Sequence, residues 1–413
     1  TATPTISDRP GIPAQVLQPP IKVEVLDAKS PQLTPVFPEH VPPALPVVKV
    51  DDPVLLMPPL PPFAQTTRVY DLNNDVETVL EVYREPATGE DFFRLSIRVR
   101  ASSKLRHFAK DNLFLIDASH SIKDDELSKV FAGVAQHIRT LPPNDRYNIV
   151  KFHLREESLF MDFMGWNTDD VGYLMDFLKR PERSVLTNLA NTVGRTLAKH
   201  PGKAGRPLNV HLFTDGVITA GESGVAAVTS KYSNAMASNQ SLLPFNIGRP
   251  ANLHMLEMMS FTGKGYLGDC EDTEQASAAV ASYLDRFHRP VLMECEAQYI
   301  TPAVRDIYPL ELPLLYRDNV LQLYGKCETG SEFSLRLKGL GVEGASDIFI
   351  RTALPEPDPD LREIAREWAK GRIYQLLAAY FHEGAGDAAL EKVRTLSVRY
   401  GVQLPMDKIG RAS

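Results

Sequence analysis

Three oxygen-bearing side chains follow a short apolar run at residues 113–116: Asp117, Ser119 and Ser121. An apolar run closed by small polar residues is typical of a buried parallel strand, and open α/β sheets bind ligands at the carboxyl ends of such strands. Carboxylate and hydroxyl oxygens are hard ligands that favour Mg²⁺, Mn²⁺ or Ca²⁺ over Zn²⁺. The alternative is an ordinary helix N-cap, because Ser and Asp favour that position.

Two further residues extend this set. Asp215 follows a second buried strand predicted at residues 208–214, and Thr187 lies in a loop directly before a predicted helix. Asp117, Ser119, Ser121, Thr187 and Asp215 are therefore expected to surround one divalent cation from three neighbouring loops. Hydroxyl ligands leave a cation less neutralised than carboxylates would, so it can accept a carboxylate from a partner in an open coordination position.

The types and the order of these five residues resemble a known motif. An Asp-x-Ser-x-Ser run, a later Thr and an Asp-Gly pair, completed here by Gly216, resemble the metal-ion-dependent adhesion site of von Willebrand factor A domains. The resemblance extends from near residue 108 to near residue 288. It implies a site for Mg²⁺ or Mn²⁺ whose shell is completed by an Asp or Glu of a protein partner. His120 departs from the pattern, since many of these domains have Gly there.

An acidic pair, Asp124 and Asp125, follows the first motif. The stretch 121–125 resembles the integrin β-subunit version of the site, in which such a pair helps to hold a second, regulatory cation. On that resemblance, Asp124 and Asp125 are candidate ligands for Ca²⁺. The alternative is a pair of acidic residues at a helix N-terminus, where the macrodipole favours negative charge.

Strands and helices alternate between residues 112 and 287, which predicts a doubly wound, mostly parallel α/β sheet. Apolar residues recur there at helical and strand spacings. The predicted strands cover residues 113–116, 147–152, 208–214, 242–247 and a short segment near 265–267. The predicted helices cover residues 124–141, 169–178, 189–197, 224–237, 253–259 and 273–287.

Strand-rich sequence flanks this unit on both sides. The predicted flanking strands are 77–83, 92–99, 291–299, 304–308, 320–327 and 332–337. Each flank is small beside a sandwich of about 100 residues, so one β-sandwich with the α/β unit inserted is favoured over two separate β units. Such an insertion resembles integrin β subunits and the heavy chains of inter-α-trypsin inhibitor. Two C-terminal helices, 360–381 and 387–400, are expected to pack on the sandwich, with Trp368 in the core.

Residues 1–64 differ in composition from the rest, because half of the 32 prolines fall there. Such sequence disfavours helix and favours extended polyproline conformation, so a spacer or strap is expected, with a disordered linker as the alternative. A tether to a membrane or another domain beyond this chain would suit it. The predicted divisions are a Pro-rich segment (1–64), two sandwich parts (65–106 and 290–354), an A domain (107–289) and a helical segment (355–413).

The composition of the 413-residue chain bears on several classes of protein. A hydrophobic content of 43% and a charged content of 23% are those of a globular protein. The net charge of −7 argues against a nucleic-acid partner, which requires a basic footprint. No apolar run reaches the roughly 18 residues of a membrane span. Cys270, Cys295 and Cys327 are expected to be free thiols, with a Cys295–Cys327 bridge as the alternative.

These observations predict a non-enzymatic, metal-dependent protein-binding or adhesion module. The sequence contains no Gly-x-Ser-x-Gly nucleophile motif, no phosphate-binding Gly-rich loop and no histidine pair at metal spacing. An extracellular or periplasmic location is expected. The alternative function is a structural protein that self-associates through residues 1–64, with the metal site serving stability.

Overall fold

The protein is described here by a computed structural model that covers residues 69–404, except 180–182, 222–224, 234–235, 250, 271, 302 and 384–386. The predictions for residues 1–64, as a strap, a linker or a self-association element, lie outside the described residues. The described chain is a β-sandwich that carries an inserted α/β domain and two C-terminal helices.

The chain enters the sandwich through a hairpin. Its first strands are β1 (Tyr70–Asp71), β2 (Val76–Arg84) and β3 (Asp91–Val99). Both strands predicted in this flank are confirmed, since β2 and β3 pair antiparallel over their whole length. Along β3, Leu95 and Ile97 are buried, whereas Arg94 on the opposite face forms an ion pair with Glu81. The strand therefore has one apolar face and one ion-paired face, as its alternating sequence predicts.

The inserted domain alternates strands with helices. Its strands are β4 (Asp111–Asp117), β5 (Arg146–Phe152), β6 (Glu156–Ser158), β7 (Met164–Gly165), β8 (Leu208–Thr214) and β9 (Gln240–Asn246). Its helices are α1 (Asp124–Ile138), α2 (Val171–Lys179), α3 (Leu189–Lys199), α4 (Val225–Ser233), α5 (Leu253–Thr262) and α6 (Ala276–Asp285), and short 3₁₀ turns lie at Thr168–Asp170 and Thr273–Gln275. The alternation predicted from the sequence is thus confirmed.

The sheet of this domain has the order β6-β5-β4-β8-β9, with β7 also paired to β5. Strands β4, β5, β8 and β9 run parallel, and β6 and β7 run antiparallel to β5. The central strand β4 has β5 on one side and β8 on the other, so the winding direction reverses at β4. The carboxyl end of such a strand is where open α/β sheets bind ligands.

Helices cover both faces of this sheet. On β4, Phe114 and Ile116 pack with the apolar faces of α1, α2 and α6, whereas Leu113 and Leu115 pack with those of α3, α4 and α5. Every residue of β4 is buried as a result. A strand covered on both faces requires a continuous apolar run, which is the pattern that marked β4 in the sequence.

Several predictions for this domain differ from the structure. The helices predicted at 224–237 and 273–287 are shorter, as α4 and α6, and strands β6 and β7 were not predicted. The strand predicted near 265–267 is wrong, because this segment makes a single bridge, Phe245 with Gly268, and no ladder. Gly265 approaches β9 so closely that a Cβ atom there would lie 1.8 Å from the carbonyl oxygen of Leu242. The helix predicted at 124–141 ends earlier, at Ile138, and the Thr140 hydroxyl donates to the carbonyl of His137 at 2.7 Å.

After α6 the chain returns to the sandwich. The strands of this part are β10 (Pro290–Tyr299), β11 (Val304–Tyr308), β12 (Leu315–Tyr316), β13 (Leu321–Cys327), β14 (Glu332–Gly341) and β15 (Gly344–Ala353). Strand β15 was not predicted, and it begins with small and acidic residues that have weak strand propensity. It pairs with β14 through a hairpin that ends at Gly344, whose φ is 129°.

The two sheets of the sandwich have the orders β1-β15-β14-β10-β12 and β11-β13-β3-β2. Strand β3 from the first flank pairs antiparallel with β13 from the second. The rings of Phe93 and Phe333, one from each sheet, pack with centroids 5.2 Å apart in the shared core. The predicted insertion of the α/β unit into one sandwich is therefore confirmed, and the alternative of two separate β units is wrong.

Two helices complete the described chain: α7 (Glu363–Glu383) and α8 (Asp387–Tyr400). Trp368 of α7 donates a hydrogen bond from Nε1 to the carbonyl of Asp306 at 2.7 Å, and its ring lies 5.0 Å from that of Phe92. The prediction that α7 packs on the sandwich with Trp368 in its core is confirmed. Cys270, Cys295 and Cys327 are free thiols, as favoured. Among the described helices, none combines the length and the apolar character needed to cross a bilayer.

A buried polar contact joins the inserted domain to the sandwich. The hydroxyl of Tyr316 on β12 donates to Oδ1 of Asn209 on β8 at 2.7 Å, and Nδ2 of Asn209 donates to the carbonyl of Phe287 at 3.0 Å. Asn209 has no exposed surface and Tyr316 has 1%. The backbone amide of Phe108 also donates to the carbonyl of Pro290 at 2.8 Å, so the entry and the exit of the inserted domain lie side by side.

We expect Tyr316→Phe to lower the free energy of unfolding by about 1–3 kcal/mol, because it leaves the buried Oδ1 of Asn209 without this donor. Tyr173→Phe is the matched control, since Tyr173 is 57% exposed. Urea unfolding followed by circular dichroism measures both changes. Equal, small effects of the two substitutions would show that the Tyr316 hydroxyl does not stabilise the junction.

Candidate metal centre

Three loops meet at the carboxyl edge of the parallel sheet. We name them by the elements that they join: the first loop (118–123) between β4 and α1, the second loop (183–188) before α3, and the third loop (215–220) after β8. The backbone amide of His120 in the first loop donates to the carbonyl of Ser184 in the second at 2.8 Å. The amide of Thr187 in the second loop donates to the hydroxyl of Thr219 in the third, so all three loops are fixed relative to one another.

Four of the five predicted residues form one chain of contacts. The amide of Ser119 donates to Oδ1 of Asp117 at 2.9 Å, and the hydroxyls of Ser119 and Ser121 lie 2.9 Å apart. The Ser121 hydroxyl also hydrogen-bonds the carboxylate of Asp215. Oxygen atoms from the first and third loops therefore converge on one point at the sheet edge.

Thr187, the fifth predicted residue, is held beside this chain by its backbone. Its amide donates to Oγ1 of Thr219 at 2.7 Å, and its carbonyl accepts from the amides of Thr219 and Ala220 at 3.3 and 3.0 Å. The Thr187 side chain is 1% exposed, which places it between the second and third loops. The prediction that three separate loops contribute to one site is consistent with this arrangement.

Gly216, which follows Asp215, has a structural reason to be glycine. Its φ is 71°, in the left-handed region, and a Cβ atom would lie 3.0 Å from the carbonyl oxygen of Asn252. The amide of Asn252 donates to the carbonyl of Asp215 at 2.7 Å, so α5 approaches the third loop closely here. The Asp-Gly pair in the sequence thus reflects this tight approach.

Sequence reasoning missed three residues around the site. Thr214 donates from its hydroxyl to Oδ2 of Asp117 at 2.7 Å, and its position directly before Asp215 is the one local signal that would have identified it. Arg183 donates to the carbonyl of Ser119 at 2.9 Å and to that of Ile122. Glu126 is 5% exposed and accepts from the amide of Lys123 at 3.2 Å. Glu126 is the third residue of α1, where Glu commonly accepts from the cap amide, so its position is a local signal. Nothing in the local sequence points to the role of Arg183.

Burial makes the carboxylate charges at this site unfavourable. Burial raises the pKa of Asp117 to about 6, against hydrogen bonds from Thr214 and Ser119, and the nearby Asp215 adds to the rise. Burial also raises the pKa of Asp215, against the hydrogen bond from Ser121, and Glu126 adds like charge. Two buried carboxylates beside hydroxyl oxygens form a set of hard ligands that a divalent cation would neutralise. The residues present therefore fit an oxygen-bound cation.

Asp124 and Asp125 lie in the first turn of α1 and already have cationic partners. Asp124 forms an ion pair with Arg183, and Asp125 pairs with Lys129 at 2.8 Å. Their side chains are 92% and 72% exposed, respectively. A second cation there would compete with both pairs, so the Ca²⁺ site stays a prediction.

The structure also assembles a group that residue spacing did not indicate. His137, Asp285 and His288 come together at the far end of α1 and α6, at the opposite edge of the sheet from the three loops. Residue spacing could not indicate this group, because His137 is 148 residues away from Asp285 in the chain.

Comparison with known proteins agrees with this fold. Residues 111–269 match the family model of the von Willebrand factor type A domain. The structure titled von Willebrand factor type A from Catenulispora acidiphila is similar over 82% of this chain and 89% of its own, with a TM-score of 0.52 and 15% identity. That likeness shows the fold alone.

The sequence is also similar to longer proteins. Inter-alpha-trypsin inhibitor heavy chain H1 of Mesocricetus auratus is 21% identical over 297 residues, which cover 67% of this chain and 32% of the relative. Inter alpha-trypsin inhibitor, heavy chain 4 of Mus musculus is 20% identical over 364 residues, which cover 81% of this chain and 38% of the relative. The chain thus spans about a third of the length of these curated relatives. It contains a von Willebrand factor A domain and resembles these heavy chains, as predicted.

The raised pKa of Asp117 predicts a specific pH dependence for the metal-free protein. Between pH 3.8 and about 6 the folded state keeps a proton that the unfolded state has released, so stability falls as pH rises through this window. Relative to Asp117→Asn, the wild type should lose about 3 kcal/mol between pH 4 and 7, as an order of magnitude. Urea unfolding in EDTA at several pH values measures this difference. Parallel pH profiles for the two proteins would contradict the assignment.

Proposed function

We propose that this protein is a non-enzymatic, metal-dependent protein-binding module. Asp117, Ser119, Ser121, Thr187 and Asp215 hold Mg²⁺ or Mn²⁺, and an Asp or Glu of a partner protein completes the coordination shell. The observation that carries this proposal is the buried pair Asp117 and Asp215, whose pKa values are raised. Their hydrogen bonds come from neutral hydroxyl and amide groups, which leave the negative charge for a cation to neutralise.

The ligand set also favours a partner that supplies negative charge. Three of the five ligands are neutral hydroxyls, so the bound cation keeps a net attraction for a further carboxylate. Ser121 is exposed to solvent, which gives a partner access to the cation. Val185, in the second loop, is 72% exposed and provides an apolar contact beside the site. This combination suits an acidic side chain within a protein surface.

Similarity to known proteins supports the general class of function. The match of residues 111–269 to the A-domain model and the resemblance to inter-alpha-trypsin inhibitor heavy chains favour a role in protein interaction. Because the chain spans only about a third of those relatives, the identity of the partner does not follow from them. An extracellular or periplasmic location is part of the proposal.

Removal of one hydroxyl ligand tests the metal site directly. We expect Ser121→Ala to weaken Mg²⁺ binding, measured by isothermal titration calorimetry, by at least about tenfold. Ser128→Ala is the matched control, because Ser128 is an exposed α1 residue whose hydroxyl bonds the carbonyl of Asp124. Unchanged Mg²⁺ affinity in Ser121→Ala would remove this residue from the coordination shell.

The binding mechanism is tested by capture of a protein partner. A pull-down with the wild-type chain should retain partner proteins in Mg²⁺ and lose them in EDTA, and Asp117→Ala should retain none in either buffer. The reason is that the partner carboxylate binds the cation, so removal of the cation removes the contact. A partner that binds equally with and without divalent cation would contradict the proposal.

A further inference from the structure

A second group of metal-ligating side chains lies where the inserted domain returns to the sandwich. His137 is the second-last residue of α1, Asp285 ends α6, and His288 lies two residues before Pro290, the first residue of β10. One ring nitrogen from each histidine and one carboxylate oxygen lie within 4.8 Å of one another. None of these three residues belongs to the five-residue site, which lies at the other edge of the sheet.

Direct contacts hold the three residues together. Nδ1 of His137 lies 3.0 Å from Oδ1 of Asp285, the amide of His288 donates to the carbonyl of Asp285 at 3.2 Å, and the two imidazole rings lie 5.1 Å apart. His137 is 2% exposed, whereas the side chain of Asp285 is 62% exposed. The group is therefore packed on its inner side and open to solvent at the carboxylate.

Each histidine leaves one buried nitrogen unsatisfied. Nε2 of His137 and Nε2 of His288 are buried and have no hydrogen-bond partner among the described residues. A buried polar atom without a partner costs about 1–3 kcal/mol, so it requires an explanation. A metal ion that binds Nε2 of His288 would provide one for that nitrogen, whereas His137 faces Asp285 through Nδ1.

The protonation states suit coordination. Burial lowers the pKa of His137 and lowers that of His288 to about 4, and the hydrogen bond from His137 lowers the pKa of Asp285. Both imidazoles are thus neutral ligands at neutral pH, and the carboxylate is ionised. The buried pair of Lys110 with Asp145 faces the two histidines, and Asp145 offsets the repulsion that the Lys110 charge would exert on a cation.

We propose that His137, Asp285 and His288 form a second metal site, selective for Zn²⁺ or a similar transition-metal ion. Two imidazoles and one carboxylate are borderline ligands, which favour Zn²⁺ over Mg²⁺, and three protein ligands leave a fourth position for water. Tetrahedral Zn²⁺ with bonds near 2.0–2.1 Å requires ligand atoms about 3.3 Å apart. Nδ1 of His137 and Oδ1 of Asp285 already lie 3.0 Å apart, and the Asp285 side chain, which is 62% exposed, has room to adjust.

The position of this site gives it a structural consequence. A bound ion would crosslink the ends of α1 and α6 next to Phe287, whose carbonyl accepts from Asn209. Asn209 in turn bonds Tyr316 of the sandwich, so the ion would fix the junction between the two parts of the protein. Zinc binding is therefore expected to stabilise this junction without occupying the oxygen-lined site.

Cobalt serves as the spectroscopic probe for this site. The tag-free 413-residue chain is stripped of metal, saturated with Mg²⁺ to fill the oxygen-lined site, and titrated with Co²⁺. We expect one equivalent of Co²⁺ to bind with the visible absorption of a four- or five-coordinate complex, and Zn²⁺ to displace it. Ser121→Ala should leave this absorption unchanged, which separates the two sites.

Ligand variants decide the proposal. Asp285→Asn and His288→Gln should weaken Co²⁺ binding at least about tenfold. The matched controls, Asp176→Asn on α2 and His254→Gln on α5, should bind as the wild type does. Asp285→Asn changes a solvent-exposed side chain, so this variant is expected to fold. It decides the outcome if His288→Gln fails to fold. Equal Co²⁺ binding in Asp285→Asn and the wild type, or no visible absorption in the wild type, would overturn the proposal.

Discussion

The burial of one carboxylate, that of Asp117, is the constraint on which the site depends. Asp117 ends the central strand of the sheet with no exposed surface, and burial raises its pKa to about 6. Its two oxygens accept from the Ser119 amide and the Thr214 hydroxyl, each supplied by a different strand end. Donors from neighbouring loops partly offset the cost of burying this charge, and the proposed cation would neutralise the rest. The strand order that places β8 beside β4 is what provides those neighbours.

The inserted α/β domain is attached to the sandwich at both of its ends. Its entry and exit lie side by side, because the amide of Phe108 bonds the carbonyl of Pro290. The sandwich is closed by pairing between β3 and β13, which precede and follow the inserted domain in the chain. Asn209 connects the two parts from within the sheet through Tyr316 and Phe287. Helix α6 is thus joined to β10 by a short covalent segment and to β12 by buried hydrogen bonds. A displacement of α6 would therefore act on both strands.

The two proposed metal sites differ in chemistry as well as in position. At the carboxyl edge of the sheet the ligands are oxygen atoms of Asp, Ser and Thr, which suit a hard cation. At the opposite edge, His137, His288 and Asp285 offer two nitrogens and one oxygen, which suit a borderline cation. Each set disfavours the ion that the other prefers, so the two sites need not compete. Both lie at ends of α1, which connects the two edges of the domain.

The sequence by itself determined the class of the fold and the residues that we propose as ligands of the oxygen-lined site. The continuous apolar runs of β4 and β8, each followed by Asp, are local patterns that a strand covered on both faces imposes. Tertiary structure alone decided the contacts between elements distant in the chain: β3 with β13, Arg183 with the carbonyl of Ser119, and His137 with Asp285. Such contacts depend on how packed elements meet in space, and residue spacing along the chain carries no record of that.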